Sequence, residues 1–197
     1  MKPEFILVSQ SPRRRELLQQ AGFHFISTHV DTPETLSPHL KPEENAQEIA
    51  KNKVLTYLYQ NPNPNLPLVG ADTIVVTKDN EILGKPKDKQ QAITFLQKLQ
   101  DSMHTVITGI CIYTAQLQKP ITRYESTQVY IAPLSMQEIE HYIDHYQPYD
   151  KAGAYGVQDW LGLRHIYKIN GCYYNVVGFP VALFYATLKE LKQNQQF

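Results

Sequence analysis

Phe5-Ile6-Leu7-Val8-Ser9-Gln10-Ser11-Pro12-Arg13-Arg14-Arg15 opens with four apolar residues in a row and passes at once into a helix-starting pattern. A short apolar run without polar alternation reads as a buried strand. Ser11 offers the hydroxyl of an N-cap, and Pro12 suits the first helical position. A helix is therefore expected from about Pro12 to Ala21, stopped at Gly22. A buried strand feeding a helix is the opening of an α/β fold, and the alternation continues. Residues 31–44 hold Pro33, Pro38 and Pro42 and read as a loop. Asn45 to Tyr59 has helical periodicity, and Pro62, Pro64 and Pro67 mark the next loop. Leu68 to Thr77 reads as a buried strand, Asp79-Asn80 as a turn and Glu81-Ile82-Leu83 as a short returning strand.

Further on, Asp88 with Gln91 resembles a capping box before the stripe Ala92, Phe95, Leu96 and Leu99. Val106–Ala115 and Thr122–Ala132 read as antiparallel neighbours. Ser135 and Glu138 form a second capping box and open a helix through Ile139, Tyr142, Ile143 and Tyr146. Residues 150–162, with Gly153, Gly156 and Gly162, read as a tight loop. Arg164–Ile169 and Cys172–Val177 flank Asn170-Gly171, a two-residue hairpin signal. Pro180 starts a last helix with Val181, Phe184, Tyr185, Leu188 and Leu191 on one face. The class is α/β with a mixed sheet. The 197 residues fit one domain spanning 1–197, or two small lobes sharing a core.

Composition removes several functions. Nineteen basic and nineteen acidic residues give zero formal charge, which argues against chain-wide attraction to nucleic acid or acidic membranes. The two cysteines, Cys111 and Cys172, are too few for a disulfide framework. No apolar stretch approaches the roughly 18 residues of a membrane span, so a cytoplasmic setting is expected.

Five features have the chemistry to do more than pack. Ser9 to Arg15 sits at a helix start, where free N–H groups and the helix dipole favour anions; solvated arginines on a capped surface helix are the alternative. Lys53 falls between Ile49 and Ala50 in the centre of an apolar helix stripe, so its ammonium needs an anion or must snorkel to solvent. Asp72, inside Leu68-Val69-Gly70-Ala71-Asp72-Thr73-Ile74-Val75-Val76, is a carboxylate in a buried strand, expensive unless paired or bound to a metal. Gly84-Lys85-Pro86 lacks the earlier glycine and the Ser or Thr of a P-loop, so a Walker-type ATPase is rejected, although Lys85 is able to reach a phosphate from a turn. In Asp150-Lys151-Ala152-Gly153-Ala154-Tyr155-Gly156-Val157-Gln158, the glycines allow close backbone approach, and the Gln158 amide suits a base edge. Two decoys accompany them. His141 and His145 have metal-like spacing but no evident third ligand, and Cys111 reads as core packing.

The string Leu7-Val8-Ser9-Gln10-Ser11-Pro12-Arg13-Arg14-Arg15-Glu16-Leu17-Leu18 resembles the opening signature of the Maf family of nucleoside triphosphate pyrophosphatases. The resemblance continues in order through Gly70-Ala71-Asp72-Thr73, Gly84-Lys85-Pro86, Lys151 to Gln158 and Asn175-Val176-Val177-Gly178-Phe179-Pro180. It implies a long mixed sheet with flanking helices and two lobes around a cleft, similar to inosine triphosphatases. It implies hydrolysis of a nucleoside triphosphate to the monophosphate and pyrophosphate with Mg²⁺ or Mn²⁺. Ala-Asp-Thr with Ala-Gly-Ala-Tyr-Gly-x-Gln is similar to the branch acting on dTTP and UTP. Carried over, Asp72 falls on the catalytic acid. Ser9, Arg14, Lys53 and Lys85 fall on phosphate-contacting positions. Arg13, Thr73 and Gln158 fall on positions associated with substrate choice, and Arg13 is also expected to help hold phosphate. Glu34 lies near the family's acidic loop position and would join Asp72 on the metal, although Asp31 to Thr35 carries extra residues there. Asp159-Trp160-Leu161 follows Gln158, where the family commonly has Gly. The expected partner is a nucleoside triphosphate, with no nucleic acid or membrane, and a homodimer is the expected assembly. The alternative is a nucleotide-binding regulator of cell division with little or no catalysis.

Overall fold

The computed structural model describes residues 2–117 and 119–197. Strand β1 (Phe5–Val8) is buried along its length, as a run without polar alternation requires. β2 (Phe25–Thr28) and β3 (Leu68–Val76) lie on either side of it, both parallel. β4 (Ile82–Leu83) returns antiparallel against the end of β3. With β5 (Ser102–Tyr113), β6 (Ile121–Ile131) and β7 (Ile166–Asn170), the described sheet has seven strands in the order β2-β1-β3-β5-β6-β7, with β4 attached to β3. β7 is antiparallel to β6, so the sheet is mixed, as the alternation of elements led us to expect.

The helices are α1 (Pro12–Gln20), α2 (Pro42–Gln60), α3 (Lys89–Leu99), α4 (Met136–Tyr146), α5 (Trp160–His165), α6 (Tyr173–Val177) and α7 (Val181–Gln193). Ser11 caps α1, its hydroxyl accepting from the Arg14 N–H, and Pro12 takes the first helical position. α2 begins three residues before the expected start. Pro42 lies inside the first turn rather than in a loop, because proline costs nothing where no backbone donor is needed. Ser135 and Glu138 form the reciprocal box at α4. At α3 only half of the box forms: Asp88 accepts from the Gln91 N–H, while the Gln91 amide oxygen accepts from Lys87.

The Asn170-Gly171 hairpin is not formed. Residues 173–177 are helix α6, not a returning strand. Asn175 is fully buried, and its amide donates to the Val106 carbonyl and the Thr127 hydroxyl. Those two anchors override the local strand preference of Tyr-Tyr-Asn-Val-Val. Likewise the expected loop over 150–162 ends in α5, and the strand expected from Arg164 starts at Ile166.

The chain divides into two compact units: residues up to Asp72 with Thr108–Glu125 and Gly178 onward, and Thr73–Ile107 with Ser126–Val177. Each has its own core. The first gathers Ile6, Val8, Ala50, Val54, Leu68 and Cys111. The second gathers Leu96, Leu99, Val129, Tyr142, Ile143 and Leu161, among others. No helix among the described residues is long and apolar enough to cross a membrane.

Candidate active site

In the first unit the site rests on how closely α2 lies against the sheet. A Cβ on Gly70 would stand 2.5 Å from the Ala50 carbonyl oxygen, and one on Gly109 would stand 2.4 Å from the Ala46 backbone. Glycine at both positions lets the helix settle flush on β3 and β5. Side chains alternate along a strand, so Asp72 shares the face that Gly70 presents to α2. Lys53 is three residues past Ala50, hence nearly one turn along the same helix face. The register therefore delivers the ammonium to the carboxylate: Lys53 Nζ lies 2.6 Å from Asp72 Oδ1. The same nitrogen lies 2.9 Å from Glu34 Oε1. Lys53 does not snorkel; its side chain is 12% exposed and that of Asp72 only 8%.

Glu34 is held near Lys53 by a loop that Asn45 staples. The buried Asn45 amide accepts from the Ser37 N–H and donates to the carbonyls of Ser37, Leu40 and Lys41. Two carboxylates from separate segments thus converge on one cation. Their all-oxygen character is the donor chemistry of a hard divalent ion, so these residues fit Mg²⁺ or Mn²⁺. Among the described residues, no group of three or more His, Cys, Asp or Glu side chains is gathered to hold a metal by itself.

Arg14 is buried, and its partners were not evident from spacing. Its Nε donates to the Gly178 carbonyl at 3.0 Å. Its Nη1 donates to the Ala71 carbonyl at 2.8 Å and to Ser9 Oγ at 3.1 Å. The guanidinium therefore ties together the end of β1, the residue before Asp72 and the start of the last segment. Burial lowers its pKa, with the Asp72 charge opposing that shift. Ser9 is buried as well and also accepts from the Ser11 N–H. Arg13, on the next helix position, is half-buried.

In the second unit, Thr73 is half-buried on β3 and Lys85 is exposed in the turn after β4. The Gly153 N–H donates to the Gly84 carbonyl, so Gly84-Lys85-Pro86 and the glycine loop are joined. Gly153 has φ +71° and packs against Val75 and Leu99, a conformation and a space that suit only glycine. Tyr155 is buried with its hydroxyl 2.7 Å from His104 Nε2. Burial holds the His104 imidazole down, to about 3, and raises the Tyr155 phenol. Gln158 is exposed at the end of this loop.

In sequence, Tyr142 is no more than one residue of the α4 stripe. It is wholly buried, and its hydroxyl donates to Asp159 Oδ2 at 2.8 Å and accepts from the Gly156 N–H at 3.0 Å. Its sequence signal was a tyrosine on the apolar stripe of a capped helix, where a buried hydroxyl demands a partner. The decoys are structural. His145 Nδ1 bonds the His141 carbonyl, and the two rings lie tilted with centroids 4.2 Å apart, His141 beside Trp160. Cys111 is buried in the first core, and burial raises its thiol to about 12.

Residues 4–191 match the family model described as Maf-like protein. A dTTP/UTP pyrophosphatase of Chlorobaculum tepidum is 45% identical over 190 residues, covering 95% of this chain and 95% of that protein. One from Bacteroides fragilis is 41% identical over 189 residues, covering 95% and 96%. One from Bacillus pumilus is 42% identical over 179 residues, covering 91% and 92%.

Proposed function

The chain belongs to the Maf family, and on that premise we propose that it hydrolyses nucleoside triphosphates, foremost dTTP and UTP, to the monophosphate and pyrophosphate. The observation that carries the proposal is the meeting of Lys53, its side chain only 12% exposed, with the two carboxylates of Asp72 and Glu34.

In this reading Asp72 orients a water and takes its proton as the water oxygen attacks the α-phosphorus. The new oxygen–phosphorus bond replaces the bridge to the β-phosphorus, and pyrophosphate leaves. Lys53 balances Asp72 before substrate arrives and offers its charge to the phosphate oxygens afterwards, since placed cations stabilise the charge that spreads over non-bridging oxygens. Ser9, Arg13 and Lys85 contribute hydrogen bonds or charge to the triphosphate. Arg14 belongs to the same group, with its Nε and Nη1 engaged by protein oxygens, so its main contribution is to hold Ser9 and the β3 backbone in place. Mg²⁺ or Mn²⁺ held by Asp72 and Glu34 would supply further neutralisation of phosphate charge. Thr73, Arg13 and Gln158 select the nucleotide; a pyrimidine edge with O4 and N3–H matches one amide donor and one amide acceptor. The enzyme so described works on free nucleotides in the cytoplasm, without nucleic acid or membrane, and a homodimer is its expected assembly.

A panel of nucleoside triphosphates, assayed with Mg²⁺ and with Mn²⁺, tests the reading. Pyrophosphate and monophosphate should appear in equal amounts, fastest from UTP and dTTP. Release of inorganic phosphate in place of pyrophosphate would overturn it.

A further inference from the structure

Gln158 is exposed, yet the residues around it are tightly held. Gly162 has no room for a side chain, because a Cβ there would lie 2.1 Å from the Val157 carbonyl oxygen. Helix α5 therefore packs directly on the backbone just before Gln158. On the other side, Asp159 stands at the N-terminal end of α5, where aspartate usually caps the helix. It makes no such cap. Its carboxylate turns back instead, and a Cβ on Gly156 would meet it at 2.5 Å. Asp159 Oδ2 there accepts from the Tyr142 hydroxyl, and Lys151 Nζ stands 3.5 Å away. The same hydroxyl receives the Gly156 N–H. One buried phenol thus binds both ends of the four-residue turn that has Gln158 in it. The Asp159 N–H closes that turn onto the Gly156 carbonyl at 3.2 Å.

The phenol is itself fixed. Tyr142 lies between Tyr146, stacked at 5.3 Å, and Trp160, stacked at 6.5 Å. Burial and the neighbouring Asp159 charge both raise its pKa, so it remains a hydroxyl with one proton to donate. A group that donates to one end of a turn and accepts from the other fixes the turn as no acceptor-only or donor-only side chain could.

We propose that Tyr142 and Asp159 are positioning residues for base selection: through the turn 156–159 they hold the Gln158 amide in one orientation, so that it discriminates between pyrimidine and purine edges. The inference rests on the proposed role of Gln158. Neither residue touches the reacting atoms. Freeing the turn lets the amide sample orientations that fit no base edge, and the bound pyrimidine must then restrict it again. The loss should fall on KM for pyrimidine substrates, not on the chemical step.

Tyr142→Phe, Gln158→Ala and the double variant, each assayed with UTP, dTTP and ATP, test this. Tyr142→Phe keeps the aromatic stack and removes only the hydroxyl. It should raise KM for UTP and dTTP about fivefold, the range of one net hydrogen bond, with kcat within about twofold and KM for ATP unchanged. Gln158→Ala should raise the same two KM values, and the double variant should be no worse than Gln158→Ala alone. Asp159→Asn retains an acceptor for the phenol and should restore most of what Asp159→Ala loses. Full pyrimidine preference in both Tyr142→Phe and Asp159→Ala, with only a lower Tm, would overturn the proposal while Gln158→Ala still showed its effect. Additive losses in the double variant would overturn it too. Unchanged selectivity in Gln158→Ala would remove the base-reading role of Gln158 and this proposal with it.

Discussion

Arg14 and Tyr142 do similar work with opposite chemistry. Each is buried, and each joins segments that are distant in the chain. In the first unit the joining group is a cation that only donates, and its partners are two carbonyls and a hydroxyl. In the second it is a neutral phenol that donates to a carboxylate and accepts from an amide. The first unit concentrates charge, with Lys53, Asp72 and Glu34 within hydrogen-bonding distance of one another's partners. The glycine loop of the second is held by hydroxyl, imidazole and backbone groups, with Lys151 paired to Asp150 and standing near Asp159. Under the proposed function, each kind of chemistry suits one half of a nucleotide. A triphosphate is recognised by charge, which acts strongly and with little angular demand, whereas a base edge is uncharged and is told apart only by directed hydrogen bonds.

Breaking the charged region should have the largest effect. Asp72→Asn keeps shape and removes the negative charge. Pyrophosphate release from UTP should fall about a thousandfold, within the range of losing a positioned general base, with an unchanged circular dichroism spectrum. Wild-type turnover in this variant would move the chemistry elsewhere.

Arg14→Ala should come next, and its effect should be on stability. It strands the Ala71 and Gly178 carbonyls in a buried setting, at a cost of about 2–4 kcal/mol. Urea unfolding measures this, and Arg14→Lys should recover only part of it because an ammonium lacks the fork. A loss below about 1 kcal/mol would mean that water replaces the guanidinium.

Lys53→Met separates charge from packing. Triphosphate affinity should weaken by about 1–3 kcal/mol, seen as a higher KM for UTP, if the ammonium serves phosphate as well as the carboxylates. Unchanged kinetics would confine Lys53 to its ion pairs.

The second region should respond to pH instead. His104 in the folded chain has its pKa held down to about 3, below the unfolded value of about 6.5. Unfolded chains therefore bind a proton that folded chains refuse. Its contribution is complete above about pH 6.5 and is lost as pH falls toward 3, with a slope of about 1.4 kcal/mol per pH unit. His104→Gln, which can still pair with the Tyr155 hydroxyl, should lack that share of the slope in unfolding measured between pH 4 and 7. Parallel curves for the two proteins would refute the assignment.

Several site residues are legible in the sequence. Asp72 stood out because a carboxylate in an apolar strand must be compensated. Lys53 stood out because an ammonium on an apolar stripe must also be compensated, and each proved to be the other's partner. The arginine-rich start of α1 was evident from Ser11 and Pro12, but not which arginine turns inward. Arg14 does so because Gly178 and Ala71 supply carbonyls, and Gly178 is 164 residues away. Tyr142 was visible only as an apolar-face residue, since the need for a partner does not name one. The Asn170-Gly171 hairpin failed for a related reason: a turn signal is local, and Asn175 is held by Val106 and Thr127 from other strands.

By itself the sequence determined strands β1 and β3 to β7, helices α1 to α4 and α7, the helix starts at Ser11 and Ser135, and the family signatures, but not β2, α5 or α6. Those depend on hydrophobic period and on caps within one turn, interactions that act between near neighbours. Only the tertiary structure decided that Lys53 meets both Glu34 and Asp72, that Arg14 is a buried clamp, and that one phenol closes the turn around Gln158. Those choices depend on which helix can lie flush on which strand, and so on the missing side chains of Gly70, Gly109 and Gly162 as much as on the polar groups themselves.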